Sequence, residues 1–279
     1  MSLNPRSIYI IAKKEFSDNA RSKWIISLIL IFLVLTIVSS IMAGSGKIGD
    51  MEDTVSALLS IASMLVPVIS IMLGYATISG EVESGALSIV LASPIKRLEV
   101  LLGKLLGLGS VMCFSILVGF GVSGLIIAVT TGHAQWGSYL VFVLLTMLLG
   151  LLYLSLAICF SAILKRRVVS LAAGVMIFFM GMIVGMIFMG AYMATGGSFE
   201  DYLSGDTSSL PDWFWVEPFF GPQDGYGAAA MLAFGQTDLL GFEFALPPWL
   251  NIFTITMAQI IWTAVPLGLA CILFQKRDM

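Results

Sequence analysis

The sequence predicts an all-α integral membrane protein with six transmembrane helices. Three observations indicate this class. The chain is 58% hydrophobic and only 11% charged, whereas soluble domains carry roughly 25% charged residues. Its mean hydropathy is +1.00. Finally, its uncharged stretches are longer than the roughly 20 residues that a helix needs to cross the hydrocarbon core of a bilayer.

The predicted spans form a single transmembrane domain over residues 1–279. The first span follows a basic leader, but its apolar part is longer than the about 7 to 15 residues of a signal-peptide core, so we interpret it as a retained span. Residues 195–247 form a long external segment between the last two spans. The six predicted spans cover residues 24–43, 56–79, 105–130, 139–164, 168–194 and 249–274.

The basic residues predict a multi-pass protein of the cytoplasmic membrane with both termini in the cytoplasm. The six-span arrangement places every one of the 14 Lys and Arg residues except Lys47 on one face, and basic loops stay on the cytoplasmic side. The acidic residues concentrate on the opposite face. The net charge of −3 therefore averages two opposed faces, and it does not indicate a nucleic-acid partner.

Apolar residues recur at helical spacing before the first span. Ile8, Ile11, Ala12 and Phe16 alternate with charged and polar residues. This pattern is typical of a helix that lies in the interface of the lipid bilayer. We therefore predict an interfacial helix within residues 1–23.

Charge gathers within the stretch GYATISGEVESGALSIVLASPIKRLEVLLGK at residues 74–104. Glu81 and Glu83 begin a short segment whose apolar residues recur at i, i+3 and i+4, and carboxylates favour a helix N-terminus. Ser93 and Pro94 are typical of an N-cap and first helical residue, which predicts that a new helix begins there and continues into span 3. The segment before them is predicted to form a short amphipathic helix on the cytoplasmic surface.

The external segment 195–247 contains acidic residues and no basic residue. Its prolines prevent one long helix. We expect short helices on the outer surface, with Trp213, Trp215 and Trp249 at the level of the lipid headgroups. The segment is large enough to dock a protein outside the cytoplasm.

The predicted spans contain no charged residue, although ion-coupled transporters and intramembrane enzymes usually place an ionisable side chain at membrane depth. A partner should therefore supply the energy for any work. The string GSGK at 44–47 lacks the first glycine and the hydroxyl residue of a phosphate-binding loop, so we expect no ATP binding by this chain. His133 lies in a short outer loop, and Cys113, Cys159 and Cys271 lie in separate spans, so no metal site is assigned.

Span 5 carries two stripes on its helical wheel. The glycine stripe allows close approach of another helix, either in a dimer or within the chain. The methionine stripe permits two interpretations, because thioether sulfur suits Cu(I) and methionine also fills irregular helix contacts. The glycines are Gly174, Gly181 and Gly185, and the methionines are Met182, Met186, Met189 and Met193.

The stretch 74–104 resembles the signature of ABC-2 type transporter permeases, especially the NosY-like group. The leader IAKKEFSDNARSKW is similar to the amino-terminal helix of that family, and six spans with both termini inside match it along the whole chain. Ala86 stands where threonine is common. The signature comprises Tyr75, Gly80-Glu81-x-Glu83-x-Gly85, a Leu-rich short helix, Ser93-Pro94, Arg97 and Gly103-Lys104.

The resemblance implies the membrane subunit of an ATP-binding cassette transporter, which is not an enzyme on its own. In such permeases the short cytoplasmic helix is a coupling helix that docks on a separate ATPase subunit. Two permease copies and two ATPase subunits assemble, and ATP and Mg²⁺ bind the ATPase, so this chain needs no cofactor. NosY-type permeases are associated with copper or sulfur supply to copper enzymes, which makes Cu(I) a candidate cargo. Related permeases export lipids, peptides or drugs.

The resemblance also assigns roles to residues. A homodimer would favour a dimer contact for the glycine stripe. A stand-alone channel or secondary transporter is an alternative class, but it would need polar or charged residues along a path, and the spans offer mainly Ser, Thr, Asn251 and Gln259. A membrane-anchored assembly protein without transport is another, and it has no need of an amphipathic helix with two leading acids. The coupling residues are Gly80, Glu81, Glu83, Gly85, Leu87, Ser93, Pro94 and Arg97, with a second contact at Lys165, Arg166 and Arg167, while Gly103 and Lys104 position the start of span 3.

Overall fold

The structure is a computed structural model, and it is a helical bundle. Most of the predicted first span 24–43 lies outside the described residues, as do His133 and the residues Leu87, Ser93 and Pro94 of the predicted coupling helix. The described residues are 3–23, 26–27, 30, 34, 37–38, 51–86, 95–131, 136–199, 210–235, 238–239, 242–243 and 247–276.

Nearly all described secondary structure is helical, in agreement with the predicted all-α class. A short antiparallel pair joins β1 (Asp238–Leu239) to β2 (Phe242–Glu243). A 3-10 helix spans Asp212–Val216. The α-helices are α1 (Pro5–Ala20), α2 (Met51–Gly74), α3 (Ser79–Glu83), α4 (Arg97–Thr131), α5 (Trp136–Ile163), α6 (Arg167–Ala194), α7 (Glu217–Phe220), α8 (Pro222–Ala233) and α9 (Ile252–Lys276).

Five described helical segments are long and apolar enough to cross a membrane. They agree with the second to sixth predicted spans. Pro67 lies inside α2 without ending it. The five segments are Leu58–Glu83, Arg97–Leu125, Trp136–Ile163, Arg167–Ala194 and Ile252–Lys276.

Helix α5 lies at the centre of the bundle and packs against α2, α4, α6 and α9. It buries apolar side chains along its whole length, including Phe142, Leu149 and Tyr153. In contrast, only 17% of the most apolar window of α6 and 22% of that of α9 are buried inside the chain. These two helices therefore present the largest apolar surfaces to lipid or to another protein.

Helix α4 begins at Arg97, so the prediction that it begins at Ser93-Pro94 is wrong. The residues at 95 and 96 are not helical. The Lys96 carbonyl accepts the first helical hydrogen bonds, and the Glu99 carboxylate accepts the Lys96 N–H at 3.3 Å. Glu99 thus supplies the carboxylate half of a capping box, which fixes the start of the helix.

In the segment between α6 and α9, α7 contains no buried residue, whereas α8 is packed among the longer helices, and the place of the segment on the outer membrane surface stays a prediction. Helix α8 packs against α2, α5, α6 and α9. Its face of small residues, Ala229 and Ala230, is fully buried, and the Tyr226 hydroxyl lies 2.8 Å from the Thr146 hydroxyl of α5. Trp215 is also buried. The small apolar face of α8 and the hydrogen bond of its Tyr226 hydroxyl allow this helix to pack between the longer helices.

Candidate functional site

Five helix termini meet at one end of the bundle, which we call the basic end. The Arg97 guanidinium at the start of α4 donates to the Phe274 carbonyl near the end of α9 at 3.1 Å. The Arg167 N–H at the start of α6 donates to Glu83 Oε2 of α3 at 3.2 Å. Helix α3 in turn contacts the end of α5 through Ser161. Residues that are distant in sequence therefore form one network.

Lys104 is the buried centre of this network. Its side chain is 5% exposed, and its Nζ donates to Glu15 Oε1 of α1 and to Glu81 Oε1 of α3, both at 2.7 Å. Short charge-assisted hydrogen bonds of this kind are among the stronger polar contacts in proteins. One ammonium thus ties α1, α3 and α4 together.

Helix α1 packs closely on α4 over two glycines. A methyl group on Gly103 would lie 2.7 Å from Ile11 Cβ, and one on Gly107 would lie 2.7 Å from the Ala12 carbonyl oxygen. The Asn4 N–H adds a 2.8 Å hydrogen bond to Glu99 Oε1. The lack of side chains at these two positions lets the backbone of α1 approach α4.

The other face of α1 remains apolar and exposed. Tyr9 and Ile10 are 66% and 60% exposed, so α1 has one apolar stripe against α4 and a second one facing outward. Ile11 and Ala12, which the sequence assigned to the face toward the bilayer, pack on α4 instead, and contact of α1 with lipid through Tyr9 and Ile10 stays a prediction.

A buried hydroxyl holds the turn between α2 and α3. Ser161 Oγ accepts hydrogen bonds from the N–H groups of Ile78 and Ser79, both at 2.9 Å. Those two N–H groups precede or begin α3, where backbone donors have no helical partner. Sequence reasoning missed Ser161, since a serine inside an apolar span gives no sign of its distant partner.

The predicted second contact lies beside α3. The side chains of Glu83 and Arg167 are 45% and 63% exposed, and the Arg167 Nε lies 3.7 Å from Glu83 Oε2. Lys165 and Arg166 are also exposed. Because the side chains of Glu83 and Arg167 are both exposed, the pair is accessible to a partner. Exposed ion pairs contribute about 0–1 kcal/mol to stability, so this pair does little to hold α3 and α6 together.

The two glycines of the signature have different surroundings. A methyl group on Gly80 would lie 3.4 Å from Ala76 Cβ, an ordinary contact. Gly85 follows the end of α3 with a φ of 74°. Glycine adopts this left-handed conformation without steric cost, which suits a residue just past a helix end.

The structure brings together most of the residues predicted to take part in coupling, and it divides them into buried and exposed groups. Glu81 and Lys104 bond to each other inside the chain, so they position helices. Glu83 and the loop 165–167 are exposed, so they remain available to a partner.

The glycine stripe of α6 packs within the chain. A methyl group on Gly174 would lie 2.8 Å from Ile71 Cγ2, and one on Gly181 would lie 2.9 Å from Gln223 Oε1. Gly185 faces Glu217 and Asp224, as described below. Intrachain packing, one of the two alternatives, thus accounts for all three glycines.

The methionine stripe lies mainly on the outside of α6. Met182, Met186 and Met193 are 50%, 72% and 44% exposed, whereas Met189 packs partly against the core. Any path along this stripe would therefore run between the chain and lipid or a second protein.

The bundle of apolar helices with charges clustered at their ends defines a multi-pass membrane protein. The chain belongs to the ABC-2 family, because the family model described as "ABC-2 family transporter protein" matches residues 9–279. It is a membrane permease component of an ABC transporter, and the resemblance found in its sequence is confirmed.

Two relatives carry the same description, "Probable ABC transporter permease protein NosY". The protein of Stutzerimonas stutzeri is 28% identical over 97% of this chain and 98% of its own length. That of Pseudomonas aeruginosa is 33% identical over 56% of this chain and 59% of its own length.

Proposed function

We propose that this permease works as a homodimer with two copies of a separate ATPase subunit in the cytoplasmic membrane. It crosses the membrane six times, and both termini and the basic end face the cytoplasm. The positions of Arg97, Lys104 and Arg167 at one end of the bundle support this orientation, because basic residues stay on the cytoplasmic side.

The charged network at the basic end is the observation that carries a coupling role. An ATPase that displaces α3 and the residues after it would pull on Glu81, and Lys104 would pass that displacement to α1 and α4. The exposed Glu83 and the loop 165–167 would form the docking surface. ATP hydrolysis would then drive export or transmit force to a protein on the opposite side.

Reversal of the charge at Glu83 tests this proposal. We expect Glu83→Lys to lower the ATPase activity of the reconstituted permease–ATPase complex by about tenfold, because a new like-charge contact that costs about 1.4 kcal/mol weakens docking by that factor. The matched control is Asp18→Lys, since Asp18 is an exposed acid on α1 that makes only a 4.0 Å pair with Lys14. Full activity and unchanged co-purification of Glu83→Lys would refute the coupling role.

We propose Cu(I) as a candidate cargo that would follow the methionine stripe. The exposure of Met182 and Met186 and the soft character of thioether sulfur support this path. Changing all four stripe methionines to leucine, which conserves volume, is expected to lower Cu(I) uptake by transporter-containing vesicles at least about tenfold. Unchanged uptake would indicate that these methionines only fill helix contacts. The export of a lipid, peptide or drug would then be the better proposal.

An external protein is a further proposed partner. It would dock on the acidic segment between α6 and α9, where Asp212 and Trp213 are exposed. This partner would receive the force that coupling produces at the other end of the bundle.

A further inference from the structure

The segment formed by α7 and α8, which we call the inserted segment, carries two acids to a level near the middle of α6. Gln223 at the start of α8 lies beside Gly181, which is halfway along α6. Glu217 and Asp224 lie one helical turn further along α6, at Gly185. The spans contain no acid of their own at this level, but the inserted segment supplies a pair.

The two carboxyl groups lie against each other and against two glycines. A methyl group on Gly185 would lie 3.7 Å from Glu217 Oε1 and 3.8 Å from Asp224 Oδ2, and one on Gly221 would lie 3.0 Å and 2.5 Å from the same atoms. Burial, together with the neighbouring Asp224, raises the pKa of Glu217 to about 9. Two carboxyl groups in contact do not both ionise easily, so the pair holds a proton unless a positive group takes its place.

No basic side chain of this segment can supply that charge. The sequence contains no Lys or Arg between Arg167 and Lys276, which are the first residue of α6 and the last residue of α9. Among the described residues, Glu217 Oε1 has no hydrogen-bond partner. A proton or a bound cation must therefore balance the pair, because its own helices supply no counterion.

Further oxygen atoms near the pair are buried and unpartnered. Tyr153 is completely buried, its hydroxyl has no described hydrogen-bond partner, and it interacts electrostatically with Asp224. Gln223 Oε1 likewise has no described partner, and both it and the Tyr153 hydroxyl lie beside Gly181. A buried polar group without a partner costs about 1–3 kcal/mol, so a ligand whose polar or positive group reaches these two oxygens would recover part of that cost.

The open side of the pair is apolar and aromatic. Asp224 is exposed, and Phe220, which is 55% exposed, follows Glu217 by three residues. Phe188 of α6 lies 6.3 Å from the Phe220 ring and 6.2 Å from the Trp213 ring. Aromatic faces attract cations, and this surface also suits an apolar body.

We propose that Glu217 and Asp224 form a binding site for a lipophilic organic cation, with the positive charge facing the carboxyl pair from its open side and the apolar body against Phe220 and Trp213. A bare hard metal ion fits less well, because the described residues contain no group of three or more His, Cys, Asp or Glu side chains that could hold one. The inference rests on the proposed function, in that such a cation would be a cargo.

Binding at this site increases with pH. The cation displaces the proton that the pair holds, so affinity rises as pH increases toward the pKa of Glu217, by up to about tenfold per unit where one proton leaves. The described elements around the pair contribute few other polar or titratable groups. Among the described residues, these groups are the Tyr153 hydroxyl of α5, the neutral Ser63 of α2, Gln223 of α8 and Gln259 of α9, and the exposed Asp212 of the 3-10 helix. The two carboxyls therefore carry the pH dependence.

Equilibrium binding of tetraphenylphosphonium tests the site. The permease with its ATPase is placed in lipid nanodiscs without ATP, and the uncharged triphenylphosphine oxide is the reference ligand. We expect saturable binding of the cation that strengthens at least fivefold from pH 6 to pH 8, with no saturable binding of the neutral ligand. Without saturable cation binding, or with binding that is independent of pH, the proposal fails.

Matched variants complete the test. Glu217→Gln and Asp224→Asn should each weaken cation binding at least tenfold and remove its pH dependence, whereas Asp212→Asn should change neither. Correct assembly is checked by size exclusion, and the wild-type pH profile decides the question if a variant does not assemble. Equal binding by wild type, Glu217→Gln and Asp224→Asn overturns the proposal. Because no ATP is present, that result leaves the Glu83→Lys test of coupling unaffected.

Discussion

The variant Lys104→Met is expected to lose about 3–5 kcal/mol of stability, because removing one partner of a buried ion pair leaves an uncompensated charge. Here two carboxylates, those of Glu15 and Glu81, would lose their common partner, from which each lies 2.7 Å away. For a chain of this size the thermal unfolding midpoint should fall by roughly 6 °C or more. A fluorescence-monitored melt of the purified permease measures the shift.

A compensated variant separates structure from coupling. Lys104→Met combined with Glu15→Gln and Glu81→Gln removes all three charges, so it should recover much of the lost stability. It should not recover ATPase stimulation if Lys104 transmits the displacement of α3 to α1 and α4. An unchanged midpoint for Lys104→Met alone would show that the three-residue ion cluster contributes little.

The sequence was sufficient to predict the described spans and the place where charged residues gather. Both follow from simple physics, because a long uncharged stretch cannot remain in water and Glu81 or Lys104 cannot stay unpaired in lipid. Their mutual hydrogen bond was not predictable, since 23 residues separate them. Glu15 is still further away along the chain, 89 residues from Lys104, and nothing local indicates its partner.

The packing of α8 among the longer helices could not be predicted from the sequence. The prolines and acids of the inserted segment, including Glu217 and Asp224, are typical of a surface loop, and hydrophobicity alone excludes them from a bilayer. The contacts that hold the segment inside are few and specific, such as the hydroxyl pair of Tyr226 with Thr146 and the Gln259 amide that donates to the Pro222 carbonyl at 2.8 Å. Composition does not reveal such pairs.

The substitution Gly107→Val is expected to separate α1 from α4. A methyl group there would already lie 2.7 Å from both the Ala12 carbonyl oxygen and Glu15 Cβ, and the backbone of α1 cannot move aside by a rotamer change. Overpacking of this kind costs about 1–3 kcal/mol. Amide hydrogen exchange within residues 5–20 should become at least about tenfold faster, and ATPase stimulation should fall because Glu15 moves away from Lys104.

The matched control is Gly121→Val on the same helix. Among the described residues, no atom lies within 4 Å of a methyl group at Gly121, so this variant carries the same helix propensity change without a clash there. If amide hydrogen exchange within α1 is as slow in Gly107→Val as in Gly121→Val, close packing at Gly107 is not required for the docking of α1 on α4. If α1 loosens only in Gly107→Val, then docking of α1 depends on the two glycines as well as on the Lys104 ion pairs, and the helix is an integral part of the coupling machinery.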